Sequence, residues 1–378
     1  MTARIIRNAR IVTASEEFLG CVAIEDGRIR AVERGGTSVT GTEDWAGDWL
    51  LPGLVELHTD NLEKHISPRP GVIWNAHSAM VAHDAQCAAA GITTVFDSIV
   101  IGDMDRGGAR SRTQHTSIEA LHDCAGVGLL HVDHWLHLRC EVSVSDVAEV
   151  LDRYADDPLL RLVSVMDHTP GQRQWRDLKS YRRYAERNGG FADAEFSRMI
   201  EQRQDDQRRF AATNRAAVIE LCRRRGLPVA SHDDTELEHV AQAHAEAISI
   251  SEFPTTVAAA RAAREAGMSI VMGGPNLVTG GSHSGNVSAA ELAGLDLLDI
   301  FSSDYVPSSL LLAAFKLREA LDWQLPRAIA TVTRNPARAV GLPDRGEIAA
   351  GLRADLIRVR RAKAMPFVVA TLRASPPP

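Results

Sequence analysis

Cysteine is sparse: Cys21, Cys87, Cys124, Cys140 and Cys222 are the five in 378 residues, and no two share a CxxC spacing. That argues against a disulfide framework or a zinc–thiolate site and leaves reduced thiols in the core or strands of a cytoplasmic protein. No apolar run reaches the roughly 20 residues needed to cross a bilayer. The segment Met1–Ile11 mixes Arg and Asn into its apolar pattern, unlike a secretory signal. Basic charge is not in excess, 42 Lys+Arg standing against 49 Asp+Glu for a net charge of -7. Such a balance opposes general binding to nucleic acid or to an anionic membrane. No internal repeat is present, and low complexity is confined to Pro376–Pro378. With 45% hydrophobic and 24% charged residues, the chain is neither disordered, collagenous nor a coiled coil.

What is present is a change of pattern near Trp49. Before it lie short apolar patches, Ile5-Ile6 and Arg10-Ile11-Val12, and a hairpin in which Glu25-Asp26-Gly27 turns Cys21–Ile24 into Arg28–Val32. After it, short apolar runs ending in polar residues alternate with Ala-rich, helix-like stretches, as in repeated βα units. Eight strands are expected: Leu54–His58, Thr93–Asp97, Leu129–Leu138, Arg161–Asp167, Pro228–Ser231, Ala247–Ile250, Ser269–Met272 and Leu298–Ser302. Helices are expected at Ala79–Ala90, Ser145–Tyr154, Asn214–Arg225, Thr235–Ala245, Thr255–Ala266 and Ser309–Leu317. No GxGxxG follows the first strand, so a (β/α)8 TIM-type barrel is favoured over a dinucleotide-binding sheet. Two further strands, Gly346–Ile348 and Ala354–Val359, are expected to pair with the N-terminal ones. The division is thus a small β-sandwich domain from residues 1–50 with 340–378, and a catalytic barrel over 51–339. The charged stretch Gln172–Phe210 interrupts the spacing. It reads as a solvated helical excursion, with a lid as the sharper alternative.

Barrel chemistry sits at the C-terminal ends of strands, and the polar residues concentrate there. The first strand ends His58-Thr59-Asp60, whose outer two side chains share one side of an extended chain. The third ends in His137-Leu138-Arg139-Cys140-Glu141, the fourth in Asp167-His168, the fifth in His232-Asp233-Asp234, the sixth in Glu252 and the eighth in Asp304. Taken singly, each is also what a helix cap or a satisfied core group looks like; Asp233 or Asp234 could cap the helix near Thr235. So many carboxylates on one rim would repel one another without cations among them. A metal site, binuclear, is the inference. His77, His83, His131 and His134 are read as structural.

At this point longer strings acquire meaning. LPGLVELHTD (Leu51–Asp60) and RADLIRV (Arg353–Val359) resemble the amidohydrolase superfamily. HTDNLEKHISPRPGV (His58–Val72), GITTVFDSIVIGD (Gly91–Asp103), HLRCE (His137–Glu141), MDHTPGQRQ (Met166–Gln174), ASHDD (Ala230–Asp234), EFPTT (Glu252–Thr256), GGSHSGN (Gly280–Asn286) and SSDY (Ser302–Tyr305) resemble one family within it. That family is the PhnM family, α-D-ribose 1-methylphosphonate 5-triphosphate diphosphatase, of the carbon–phosphorus lyase pathway.

The resemblance implies a metal-dependent hydrolase that cleaves a phosphoanhydride, releases pyrophosphate and leaves the 5-phosphate. It implies one or two divalent ions, Zn²⁺ or Mn²⁺, held by His58 and Asp60, with Glu141 bridging, and by His168 and His232. Asp304 is expected to contact the first ion and to take the proton of the attacking water. The superfamily usually carries His-x-His on the first strand and His on the sixth; here those positions read His58-x-Asp60 and Glu252. Glu252 and Asp167 therefore carry no assigned role. Lys64, Arg69, Arg139 and Arg173 are the cations expected to meet the phosphates, and Ser282, His283 and Asn286 belong to a Gly-rich loop suited to an anion. The expected partner is a small phosphorylated sugar phosphonate, with no nucleic acid and no membrane; a homo-oligomer stays open. Two rival readings are another amidohydrolase acting on a C–N bond and a non-catalytic subunit of the lyase assembly.

Overall fold

A computed structural model describes residues 4–102, 104, 109–186, 190–282 and 285–374 of the chain. Alternating burial builds its first sheet. In Arg4–Val12 (β1), Ile6, Ala9 and Ile11 are fully buried, and the strand pairs antiparallel with Glu17–Glu25 (β2). Asp26 and Gly27, at φ 49° and 74°, then turn the chain into Arg28–Arg34 (β3), the two positive φ values that an Asp-Gly hairpin turn accommodates. Glu43–Asp44 (β4) and Trp49–Pro52 (β5) run parallel to β1.

Eight parallel strands follow: Leu54–Thr59 (β6), Ile92–Ile101 (β7), Asp133–Glu141 (β8), Leu160–Met166 (β9), Val229–His232 (β10), Ile250–Glu252 (β11), Ser269–Gly273 (β12) and Ile300–Ser302 (β13). Their outer faces pack on helices through a large cluster that includes Leu54, Val95, Leu136, Val163 and Phe301. The last strand returns to the first at the rim. The Asp304 N–H donates to the His58 carbonyl at 3.0 Å, and the Asp60 N–H donates to the Asp304 carbonyl at 2.9 Å. Beneath them the buried Glu56 carboxylate accepts from the N–H groups of His58 at 2.6 Å and Ser303 at 2.5 Å. Closing the barrel thus sets Asp304 beside His58 and Asp60.

After the barrel, Leu356–Ala362 (β14) pairs with β5, and Met365–Leu372 (β15) pairs with β14. The two ends of the chain share one seven-stranded sheet, in the order β15-β14-β5-β1-β2-β3 with β4 beside β1, around a core of Ile6, Ile11, Val22, Trp45, Leu50 and Leu356. The tail after Arg360, placed in the β domain without an expected strand, supplies this edge strand. Gly346–Ile348, expected as a strand, is irregular backbone. The sixth barrel strand begins at Ile250 because Ala247, at φ 59°, still belongs to the preceding turn. A helix over Ala109–Gly126 was not foreseen; its apolar stripe is only Ile118, Ala120, Leu121 and Cys124 in a polar segment. The five thiols are free and buried. Among the described residues, no helix is long and apolar enough to cross a membrane.

Candidate metal centre at the barrel mouth

Side chains two apart on a strand share a face, and inside the barrel this stacks a polar layer on an apolar floor. Phe96, Leu162, Ala230, Ile250 and Ile300 pack together as the floor. Ser98, Ser164, His232, Glu252 and Ser302, two residues further along the same strands, are buried above it. His137 belongs to this layer: its Nδ1 lies 2.8 Å from the Leu57 carbonyl and its Nε2 2.8 Å from the Ser164 hydroxyl. Burial pushes its pKa down to about 3, so the ring is neutral and donates from Nδ1.

Three further imidazoles are each held from behind by a carboxylate. Glu252 accepts from Nδ1–H of His58 at 2.7 Å and from Nδ1–H of His232 at 2.8 Å. Glu141 accepts from Nδ1–H of His168 at 2.6 Å. Fixing the proton on Nδ1 leaves each Nε2 as the lone-pair donor, and that nitrogen faces the cavity. This is how metal-binding histidines are oriented in general. Burial opposes charge on Glu252, yet its two histidine partners hold its pKa well below the usual carboxylate range.

The Nε2 atoms meet carboxylates. His58 Nε2 lies 3.9 Å from Asp60 Oδ1; His232 Nε2 and His168 Nε2 lie 3.4 and 3.7 Å from Asp233 Oδ2. Two groups of donors, His58 with Asp60 and Asp304, and His168 with His232 and Asp233, each bring their ligand atoms within 4.8 Å of one another. Asp233 Oδ2 is buried without a hydrogen-bond partner, which is costly unless a cation completes it. The donor set therefore fits divalent ions. Backbone turns aim it: Asp233, Phe253 and Asp304, just past their strands, have φ of 57°, 55° and 53°, a region non-glycine residues seldom enter and which clusters at functional sites.

The donors open into a cavity of about 420 Å³, lined also by Arg139, Gln174, Trp175, Tyr184, Arg203 and Asn286. No model of a protein family matches the chain. It is 45% identical over 359 residues to the α-D-ribose 1-methylphosphonate 5-triphosphate diphosphatase of Escherichia coli (strain K12), covering 94% of this chain and 95% of that protein. The chain belongs to the α-D-ribose 1-methylphosphonate 5-triphosphate diphosphatase family. Its fold is shared more widely. N-acetyl-D-glucosamine-6-phosphate deacetylase from Mycobacterium smegmatis superposes with a TM-score of 0.66 at 15% identity, covering 98% of either chain. The 5-methylcytosine deaminase from Klebsiella pneumoniae gives 0.65 at 16%, covering 98% of this chain and 96% of that one. An amidohydrolase gives 0.62 at 15%, covering 99% and 98%.

Within this diphosphatase family member, the residues singled out from sequence divide into two sets. His58, Asp60, His168, His232 and Asp304 converge at the cavity. Glu141 lines it, but is not grouped with the donors: one oxygen takes His168 and the other the Ser143 hydroxyl at 2.8 Å. It stands behind His168. Asp167 is turned away from the cavity, accepting from the Thr169 N–H at 3.1 Å and from Gln207 at 3.3 Å. Arg139 lines the cavity and donates to Asp60 at 2.8 Å. Lys64 stands at the rim, bonded to the Tyr305 carbonyl and 4.6 Å over its ring. Ser282 and Asn286 line the cavity; His283 lies outside the described residues.

Two expected phosphate ligands are elsewhere. Arg69 is exposed on a loop that does not line the cavity. Arg173, at φ 45°, turns under β10, where it is buried and donates to Asp234 at 2.6 Å and to the His232 carbonyl at 3.0 Å. Neither Asp233 nor Asp234 caps a helix, since the next one, Leu237–Ala245, is capped at Glu236. Asp233 was the donor that sequence reading passed over.

His83, His131 and His134 build a network with Asp84 and Asp97 behind β7. His134 is wedged between Asp97 Oδ2, 2.7 Å from its Nδ1, and Asp84 Oδ1, 3.2 Å from its Nε2. Facing two carboxylates, both nitrogens must donate, so the ring is an imidazolium. Burial works against that charge, but Asp97 and Asp84 push its pKa up to about 9. His83 donates to Asp97 at 2.7 Å and accepts from Asn61 at 2.9 Å.

Proposed function

We propose that the barrel mouth hydrolyses a ribose 5-triphosphate bearing a phosphonate at C1, releasing pyrophosphate and leaving the 5-phosphate. The observation that carries the reading is the convergence of three Nε2 atoms and three carboxylates on one cavity in a member of this family. His58, Asp60 and Asp304 would hold one divalent ion, and His168, His232 and Asp233 a second. Nitrogen and oxygen donors without thiolate suit Zn²⁺ or Mn²⁺. Ions there supply Lewis-acid polarisation of phosphoryl oxygens and lower the pKa of water.

The chain's own groups do the rest. Asp304, held by backbone bonds to the first strand, takes the proton of the attacking water as general base. Glu252 and Glu141 keep the three imidazoles in the tautomer that presents Nε2. Arg139, beside Asp60, meets phosphate oxygens in the fork geometry that guanidinium offers, and Lys64 adds a point charge at the rim. Ser282 and Asn286, after β12, face the departing pyrophosphate, where barrels often bind phosphate. Residues 51–339 form the catalytic unit and residues 1–50 with 340–378 its support. Five buried free thiols fit a reducing compartment such as the cytoplasm.

Hydrolysis in ¹⁸O-labelled water tests this directly. Attack at the α-phosphorus places the label in the ribose 5-phosphate product; label in pyrophosphate overturns that choice. Ammonia release or ring opening from a cyclic amide, with no pyrophosphate from the triphosphate, would mean a C–N hydrolase instead.

A further inference from the structure

The described part of Gln172–Phe210 is helical, as expected, and much of it is exposed, but it also has an inner face. It forms a short turn at Arg173–Trp175, a helix at Leu178–Ala185 and the first half of a 33-residue helix, Asp193–Arg225. These elements share a core of their own, Trp175, Tyr181, Phe196 and Ile200, with Tyr184 and Met199 packed against it. Two side-chain bonds pin the long helix to the rim after β9: Gln204 donates to the Pro170 carbonyl at 3.2 Å and Gln207 to Asp167 at 3.3 Å. The unit caps the barrel mouth, where Gln174, Trp175, Tyr181, Tyr184 and Arg203 line the same cavity as the donor groups.

Arg203 is the cation this cap contributes. Its guanidinium donates to the buried Tyr181 hydroxyl and lies 5.8 Å from that ring's centroid. Trp175 packs edge-on against Tyr181 and tilted against Tyr184, 5.5 and 4.6 Å between ring centroids. Among the described residues lining the cavity, Arg139 and Arg203 are the two arginines. Arg139 is bonded to Asp60, and Arg203 stands beside the aromatic rings of the cap. A planar cation beside aromatic rings suits a sugar that carries an anionic group, the rings meeting C–H faces and the guanidinium taking two oxygens.

We propose that Arg203, positioned by Tyr181 within the Trp175–Tyr184 wall, is the specificity residue for the phosphonate end of the substrate. The inference rests on the diphosphatase reading above. With the α-phosphorus at the donor groups, the pyrophosphate and the ribose leave it in different directions. The loop after β12 is on hand for the first and the cap for the second.

The test compares pyrophosphate release from ribose 1-methylphosphonate 5-triphosphate and from ribose 5-triphosphate lacking the phosphonate, in wild type, Arg203→Ala and Arg203→Lys. Wild type should prefer the phosphonate-bearing substrate in kcat/KM. Arg203→Ala should cut that preference by about 10- to 100-fold, the worth of one charge-assisted contact, through KM and with metal content retained. Arg203→Lys should recover part of it, and Tyr181→Phe should lose part of it. An equal loss on both substrates, or an intact preference in Arg203→Ala, overturns the proposal. If Arg203→Ala does not fold, an intact preference in both Arg203→Lys and Tyr181→Phe overturns it equally. Failure of wild type to release pyrophosphate from either substrate overturns the diphosphatase reading itself, a result distinct from any effect at Arg203.

Discussion

Changing Glu252 to Gln probes how the imidazoles are held. The two carboxylate oxygens accept from His58 Nδ1–H at 2.7 Å and from His232 Nδ1–H at 2.8 Å, and the group is fully buried. Glutamine has the same shape but keeps one acceptor oxygen and replaces the other by an NH₂ donor. One imidazole then meets donor against donor. It escapes only by moving its proton from Nδ1 to Nε2, the nitrogen that faces the cavity. The switch removes one ligand atom from one ion. Loss of an orienting partner of this kind lowers metal affinity by roughly 10- to 100-fold, equivalent to about 1.4–2.8 kcal/mol at tenfold per 1.4 kcal/mol. Chelator competition on wild type and Glu252→Gln, with circular dichroism to verify folding, measures it. One weakened site, with turnover recovering as metal is raised, is the expected result. Two sites of unchanged affinity in the folded variant would refute the tautomer reasoning.

Asp233→Ala should remove one ion per chain, whereas Glu141→Gln should only weaken binding by roughly 10- to 100-fold; elemental analysis separates the two, and the reverse pattern would restore Glu141 as a bridging ligand. Arg173→Ala leaves Asp234 buried and unpaired, which costs about 3–5 kcal/mol. It should lower the urea midpoint and disturb His232, so that metal content falls; a pure KM effect would return Arg173 to the substrate. His134→Ala removes the buried cation between Asp84 and Asp97, which keep His131, the Val132 N–H and His83 as partners; breaking that pair costs at most about 3–5 kcal/mol and removes none of the proposed metal donors. The His134 pKa is raised to about 9, so its contribution is complete below about pH 6.5 and fades as pH rises through 9. The stability gap between wild type and His134→Ala should therefore narrow over that alkaline range; a gap that does not change there would contradict the imidazolium assignment.

Much of this was legible in the chain because the period-2 pattern and the polar residues at strand ends are local signals. The eight strands, the helix after β11 and the strand-end groups His58, Asp60, His168, His232 and Asp304 that converge at the cavity are read from short windows. Errors arose where a backbone turn or a distant element decides direction. Asp233 looks like a helix cap in sequence, and only its left-handed φ turns the carboxylate onto His168 and His232. Arg173 sits five residues after His168 in one motif, yet its own positive φ sends it beneath β10. Nothing local reveals that Glu141 bonds His168 and Ser143. Arg203 lies in a charge-rich stretch that reads as a solvated surface. Its place at the cavity depends on a small aromatic core assembled from Trp175, Tyr181, Phe196 and Ile200; the i, i+4 spacing of Phe196 and Ile200 marks a helix face but does not say which element that face meets.

The most direct measurement is a titration of metal-free protein with Mn²⁺ or Zn²⁺, following pyrophosphate release from ribose 1-methylphosphonate 5-triphosphate. Turnover that appears with bound metal, saturates at two ions per chain and drops about 10²- to 10⁴-fold in Asp304→Asn, the range for loss of a general base, is the predicted result. Full turnover without added ion, or undiminished in Asp304→Asn, would contradict it.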